Sequence, residues 1–106
     1  MSLSPIGAFA RSHDPDRFLC ALFAPAAARE AIFALIAFNH ELARAREATS
    51  NPMAAMIRLQ WWRDAVAEAR AARPARRHEV AGPLHAAIRA GMLDADGLIA
   101  LVPCGP

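Results

Sequence analysis

The stretch IFALIAFNHELARARE (residues 32–47) decides how this chain folds, because it begins apolar and ends in acids and bases. Its apolar residues recur at the spacing of one helical face, which predicts a long α-helix over about residues 25–48. His40, Arg44 and Glu47 follow at i, i+4 and i+7, so they share one side of that helix near its end. Such a set is ordinarily a surface ladder of ion pairs, but on a helix that faces a cavity it is a ligand site. The periodicity leaves both readings open.

The composition of the chain favours a small all-α domain. Of its 106 residues, 56% are hydrophobic, and many of these are alanine, the best helix former. The residues that strands prefer are sparse. Prolines and capping residues divide the chain into five predicted helices, at about residues 15–24, 25–48, 52–72, 83–90 and 94–102.

Charge and cysteine content exclude several classes of function. The formal net charge of +2 is too small to indicate nucleic acid as a partner. Cys20 and Cys104 have no metal-ligand spacing, and Cys20 is predicted to be a buried free thiol. The start has no signal-peptide pattern, and Arg29 and Glu30 interrupt the apolar stretch 18–38, so neither half reaches the roughly 20 residues that a membrane span needs. We therefore expect a cytoplasmic protein. Where it contacts a membrane, we expect it to bind peripherally at the surface.

Three further patterns carry mainly structural interpretations. WWRD (61–64) is predicted to pack at a helix–helix seam, with an aromatic interaction site as the alternative. RPARR (73–77) is predicted to be a solvated loop, with a phosphate or anionic-lipid contact as the alternative. His13, His78 and His85 lie in or beside predicted helix ends, where a solvated or capping histidine is expected. No phosphate loop, nucleophile elbow or zinc spacing is present, so we assign no catalytic residue and no metal ligand.

Residues 13–68 resemble the N-terminal part of the squalene/phytoene synthase family. HDPDRFLCALFAPAAAREAIFALIAFNHELA (13–43) is similar to the opening two helices of that family, and NPMAAMIRLQWWRDA (51–65) is similar to their continuation in a proteobacterial branch. The resemblance implies that residues 1–106 form an all-α, N-terminal part of the isoprenoid synthase fold. It also implies isoprenoid biosynthesis, in which a prenyltransferase condenses two prenyl diphosphates head to head.

The resemblance places the family's first aspartate-rich motif on FNHELARARE (38–47). His40 stands where the family has a basic arginine, and Ala43 stands where it has the first metal-binding aspartate. Arg44 replaces the neighbouring aspartate, and Glu47 replaces the last one. The family uses Mg²⁺ held by these carboxylates. Because the first ligand is missing and an arginine stands beside the site, we expect no Mg²⁺ cofactor in this chain.

The resemblance also identifies residues that would contact a ligand. His13 matches an early cavity histidine of the family, whereas Arg17 replaces the aromatic residue that usually follows it. The implied ligand is a prenyl diphosphate or another lipid. The implied substrate-binding residues are His13, His40, Arg44 and Glu47.

Two hypotheses about function follow. The first is membership in the prenyltransferase class, with this chain inactive because it lacks the complete acid clusters that the metal chemistry requires. The second is a non-catalytic helical assembly or scaffold protein, similar to the phytoene-synthase-like assembly factors of respiratory complex I. The ending LVPCGP (101–106) stands where a continuing helix is expected, which predicts a fragment, a truncated gene product or a frame-shifted one. We therefore expect self-association or a protein partner to cover apolar residues that later helices would bury, namely Leu22, Phe33, Ile36 and Trp61.

Overall fold

The computed structural model describes residues 3–47 and 50–102, and this part of the chain is all-α, as predicted. Its helices are α1 (Pro5–His13), α2 (Pro15–Ala21), α3 (Ala26–Glu47), α4 (Pro52–Arg70), α5 (Ala81–Arg89) and α6 (Ala95–Leu101). The long helix α3 is central and packs against α1, α2, α4 and α5. Side-chain caps and N-terminal prolines start α1, α2 and α4, which is why the predicted starts of α2 and α4 agree with the structure.

Helix α1 is missing from the sequence-based prediction, although its start carries a local signal. The hydroxyl of Ser4 accepts a hydrogen bond from the Gly7 N–H at 3.1 Å, and Pro5 occupies the first helical position. Ile6 and Ala10 then point inward and are buried. The helix lies on α3, so α1 contributes to the core.

The close approach of α1 to α3 corrects one expectation about exposed apolar residues. A Cβ atom at Gly7 would lie only 3.1 Å from the ring of Phe33, so the missing side chain lets the two helices meet. Phe33 is consequently only 1% exposed, and Ile36 is buried as well. The prediction that Phe33 and Ile36 would be uncovered is wrong, because α1 shields α3. Leu22 does remain exposed, and Trp61 is half-buried.

The two tryptophans of α4 have different environments. Trp62 is 2% exposed and packs edge-to-face on Phe38 of α3, with ring centroids 5.6 Å apart. Trp61 is half-buried and meets Trp62 edge-on at 4.8 Å. The predicted helix–helix seam is therefore confirmed at Trp62.

The turn between α2 and α3 differs from its predicted character. Cys20 is exposed, so its prediction as a buried thiol is wrong: it lies on the outer side of the short helix α2, whose inner side is formed by Phe18 and Ala21. The guanidinium of Arg29 donates to the carbonyls of Leu22 and Ala24, both at 3.2 Å, and so fixes this turn. Cys104 lies outside the described residues.

The loop after α4 folds back onto that helix. Ala72 adopts a left-handed conformation with φ 60°, and the Arg73 N–H donates to the Glu68 carbonyl at 2.9 Å, which ends α4 as a Schellman-type turn. Arg76 then donates two hydrogen bonds to the Glu68 carboxylate, at 2.9 and 2.6 Å. These bonds hold the pKa of Glu68 below its ordinary value. The loop predicted as solvated is therefore anchored at Arg76.

Two further features complete the fold. His85 lies within α5, where its Nε2 pairs with the Arg73 carbonyl at 2.6 Å and ties that helix to the loop after α4. In the described ranges, none of the helices is both long and apolar enough to cross a membrane.

Candidate functional site

Helix α1 brings two of the predicted site residues together although they are far apart in sequence. His13, the last residue of α1, stacks on His40 of α3 with ring centroids 4.3 Å apart and an angle of 27° between the rings. Phe9 contacts both imidazoles, at 4.4 Å from His13 and 5.7 Å from His40. His13 is exposed and His40 is half-buried, so the cluster opens to solvent.

A groove of about 280 Å³ continues from this cluster along the end of α3. His40, Ala43, Arg44 and Glu47 line it. Three of the four predicted site residues therefore share one groove, and the fourth, His13, stacks on His40 at its side. Arg44 and Glu47 are exposed. Nη1 of Arg44 lies 4.0 Å from an oxygen of Glu41, so the guanidinium also faces the other side of the helix.

The residues of this groove do not fit a magnesium site. Mg²⁺ requires oxygen ligands in near-octahedral geometry, usually one or two carboxylates together with waters and substrate phosphates. Ala43 offers no ligand atom, and Glu47 is the sole carboxylate that lines the groove. Arg44 adds a positive charge beside it. Throughout residues 3–47 and 50–102, no three histidine, cysteine or acidic side chains are grouped as metal ligands would be.

Glu41 was missed by the sequence analysis, although it has the most unusual environment of the acidic residues described. It is 7% exposed, the one charged residue that is buried within the described ranges. Its position follows from the helical period, since Ala34, Phe38 and Ala45 lie on the same face of α3 and are buried too. That spacing was available in the sequence and placed Glu41 on the buried face.

Glu41 faces a second and larger cavity, of about 530 Å³, between the end of α3, the first half of α4 and the loop at residues 78–79. Its lining consists of Glu41, Arg44, Ala54, Ile57, Arg58, Trp61, Trp62, His78 and Glu79. We call this cavity the Glu41 cleft. It shares Arg44 with the groove, but the other groove residues do not line it. The end of α3 thus presents two ligand-sized spaces.

An aromatic wall forms one side of the Glu41 cleft. The His78 ring lies 5.3 Å from the ring of Trp61 and 5.2 Å from that of Trp62. Nδ1 of His78 accepts hydrogen bonds from the backbone N–H groups of Val80, at 3.0 Å, and Ala81, at 3.3 Å. A neutral His78 therefore carries its proton on Nε2, where it is a donor.

The described part of the chain is a small all-α domain in which α1 meets the polar end of α3. The sequence model of the squalene/phytoene synthase family matches residues 10–102, and the chain belongs to that family. The match extends well beyond residues 13–68, which carried the resemblance in the sequence.

Curated relatives of the chain carry the name of an assembly factor. NADH dehydrogenase (ubiquinone) complex I, assembly factor 6, from Homo sapiens is 39% identical over 56 residues. The proteins of the same name from Bos taurus and Rattus norvegicus are also 39% identical over 56 residues. Each alignment covers 53% of this chain and 17% of the relative, so the chain matches about a sixth of the length of these proteins. No solved structure matches the chain.

Proposed function

We propose that this chain is a non-catalytic member of the squalene/phytoene synthase family that acts as a helical assembly module and binds a protein partner. The observation that carries the proposal is the composition of the groove. Alanine and arginine, Ala43 and Arg44, stand where the resemblance expects a pair of aspartates, and Glu47 alone supplies a carboxylate. A groove of this kind retains a shape for binding but lacks the charge needed to hold metal and diphosphate together.

The names of the relatives support the same proposal. The curated proteins similar to this chain are named as complex I assembly factors. On this proposal the partner is a protein of the NADH dehydrogenase assembly process. The chain works in the cytoplasm, with contact to the membrane surface where that enzyme is built. Residues 1–106 then form a partial synthase-like domain.

Prenyl transfer is the alternative, and family membership together with His13 at the position of the cavity histidine supports it. Under this alternative the groove binds a prenyl diphosphate through His13, His40 and Arg44. Under our proposal, by contrast, a prenyl diphosphate that binds in the groove is not converted, and the chain uses no cofactor. Incubating the chain with farnesyl diphosphate and Mg²⁺ tests this directly: release of diphosphate above the rate without protein would contradict the proposal.

A genetic experiment tests the assembly function. In the organism that encodes this chain, removing its gene should lower the amount of assembled NADH dehydrogenase, measured by native gel electrophoresis with an activity stain. The wild-type chain should restore assembly, and so should the Glu47→Gln variant, because the proposal does not require metal binding. Normal NADH dehydrogenase in the deletion strain would overturn the proposal.

A further inference from the structure

The Glu41 cleft contains a buried carboxylate without a hydrogen-bond donor. Glu41 has less than a tenth of its side chain exposed, and its nearest positive group is Nη1 of Arg44 at 4.0 Å, which is beyond hydrogen-bond distance. Within residues 3–47 and 50–102, no side chain or backbone N–H donates a hydrogen bond to it. The Glu41 oxygens are not among the fully buried side-chain atoms that lack a partner in the described ranges, so they open into the cleft, where a ligand that donates a hydrogen bond can reach them.

The charges around the cleft restrict what that ligand can be. Glu41 and Glu79 line it with two negative charges, and Arg44 and Arg58 line it with two positive ones. A ligand that is only cationic would meet both arginines, and a ligand that is only anionic would meet both carboxylates. A molecule with a charge of each sign satisfies both sets, because charge complementarity suppresses the wrong partners.

The wall of the cleft is held in place before any ligand arrives. Arg76 lies over the ring of Trp61, with its guanidinium carbon 5.0 Å from the centroid, and its two hydrogen bonds to Glu68 fix it there. His78 is fixed by its two backbone donors. Its Nε2–H remains a donor in the lining of the cleft. A wall fixed in this way lowers the ordering cost of binding.

We infer that the Glu41 cleft binds a small zwitterion, an amino carboxylate with a primary ammonium group at one end and a carboxylate at the other. The ammonium group donates to Glu41, and the carboxylate is held by Arg58. The apolar chain between them lies against Trp61 and Ile57. The volume of about 530 Å³ is within the range of small-molecule sites. This inference goes beyond the proposed assembly function, since neither His13 nor His40 lines the cleft.

Tryptophan fluorescence of the intact chain provides the test. The protein has two tryptophans and no tyrosine, and both tryptophans line the cleft. Straight-chain ω-amino carboxylates of increasing length are titrated in turn, each alongside the alkylamine and the carboxylate of the same carbon number. One length should bind at least about tenfold more tightly than both of its matched compounds, because each of these lacks one charged hydrogen bond. An alkylamine that binds as tightly as the zwitterion, or no saturable change at any length, would overturn the inference.

Matched variants locate the binding. Glu41→Gln and Arg58→Gln should each weaken binding of the best zwitterion by about tenfold. Glu30→Gln and Arg46→Gln are the controls, since both residues are exposed on α3 and do not line the cleft. Circular dichroism confirms that each variant is folded. If Glu41→Gln does not fold, the Arg58→Gln variant provides the test, because Arg58 is exposed. Undiminished binding of the zwitterion by Arg58→Gln would refute the assignment of the site to the Glu41 cleft. Failure of these titrations leaves the assembly proposal standing, because that proposal depends on the amount of NADH dehydrogenase.

Discussion

Replacing Trp62 with alanine tests the central seam of the fold. The indole is 2% exposed and touches Phe38 and His78 as well as its neighbour Trp61. Its removal leaves a large cavity between α3 and α4, which should cost about 3–5 kcal/mol of the free energy of unfolding. The whole free energy of unfolding of a domain is only about 5–15 kcal/mol, so the variant should be near the limit of folding.

Urea unfolding followed by circular dichroism measures this cost, and two further variants calibrate it. Trp62→Phe keeps most of the apolar contact and should lose less, about 0.5–3 kcal/mol of the free energy of unfolding. Trp61→Ala removes a half-buried ring and its contact with Arg76, a cation–π interaction of about 0.5–1 kcal/mol, so it should cost much less than Trp62→Ala. The reasoning would be refuted if Trp61→Ala destabilised the chain as much as Trp62→Ala, or if Trp62→Ala cost less than about 1 kcal/mol.

Other expectations concern metal, pH and association. Calorimetric titration should show no sub-millimolar Mg²⁺ binding that depends on Glu47, and such binding, lost in Glu47→Gln, would contradict the site described here. Because the hydrogen bond from Arg76 lowers the pKa of Glu68 below its ordinary value of 4.5, the stability that this pair contributes is present above that pH. This stability is lost as the pH falls through the lowered pKa. Glu68→Gln should therefore lower the melting temperature at pH 7. It should have little effect at a pH low enough to protonate Glu68 in both the folded and the unfolded wild-type chain. An equal loss of melting temperature at pH 7 and at the acidic pH would argue against a contribution from the ion pair. Leu19, Leu22 and Phe23 are exposed close together in the sequence, and Phe23 is 92% exposed, so the chain should self-associate at tens of micromolar through these residues. Phe23→Ser should then shift sedimentation toward monomer. A wild-type monomer would contradict this expectation.

Local signals in the sequence predicted most of the helices but not all of them. Asn51 and Pro52 mark the start of α4 unambiguously, and the structure begins the helix there. The start of α1 has a cap of the same kind, at Ser4 and Pro5, but the helix has only nine residues. A short amphipathic stretch is stable only through its packing, and the partner that makes it stable, α3, begins more than ten residues later.

The candidate site was predictable where it follows one helix and hidden where it depends on contacts between helices. The spacing of His40, Arg44 and Glu47 placed them on one side of α3, and they line one groove. The stacking of His13 on His40 required α1, which the local pattern did not predict as a helix. Glu41 could be placed on the buried face of α3 from the period alone. The Glu41 cleft needed the path of the loop that carries His78, and no local pattern gives that path.

The absence of a side chain at Gly7 links the evolution of two distant positions. A methyl group there would lie 3.1 Å from the ring of Phe33, so the ring or α1 itself would have to move by a few tenths of an ångström. His13 ends that same helix, so a shift of α1 would alter its contact with His40. A larger residue at position 7 would therefore reach the histidine pair through the helix, and we expect changes at positions 7, 13 and 40 to accompany one another among related chains.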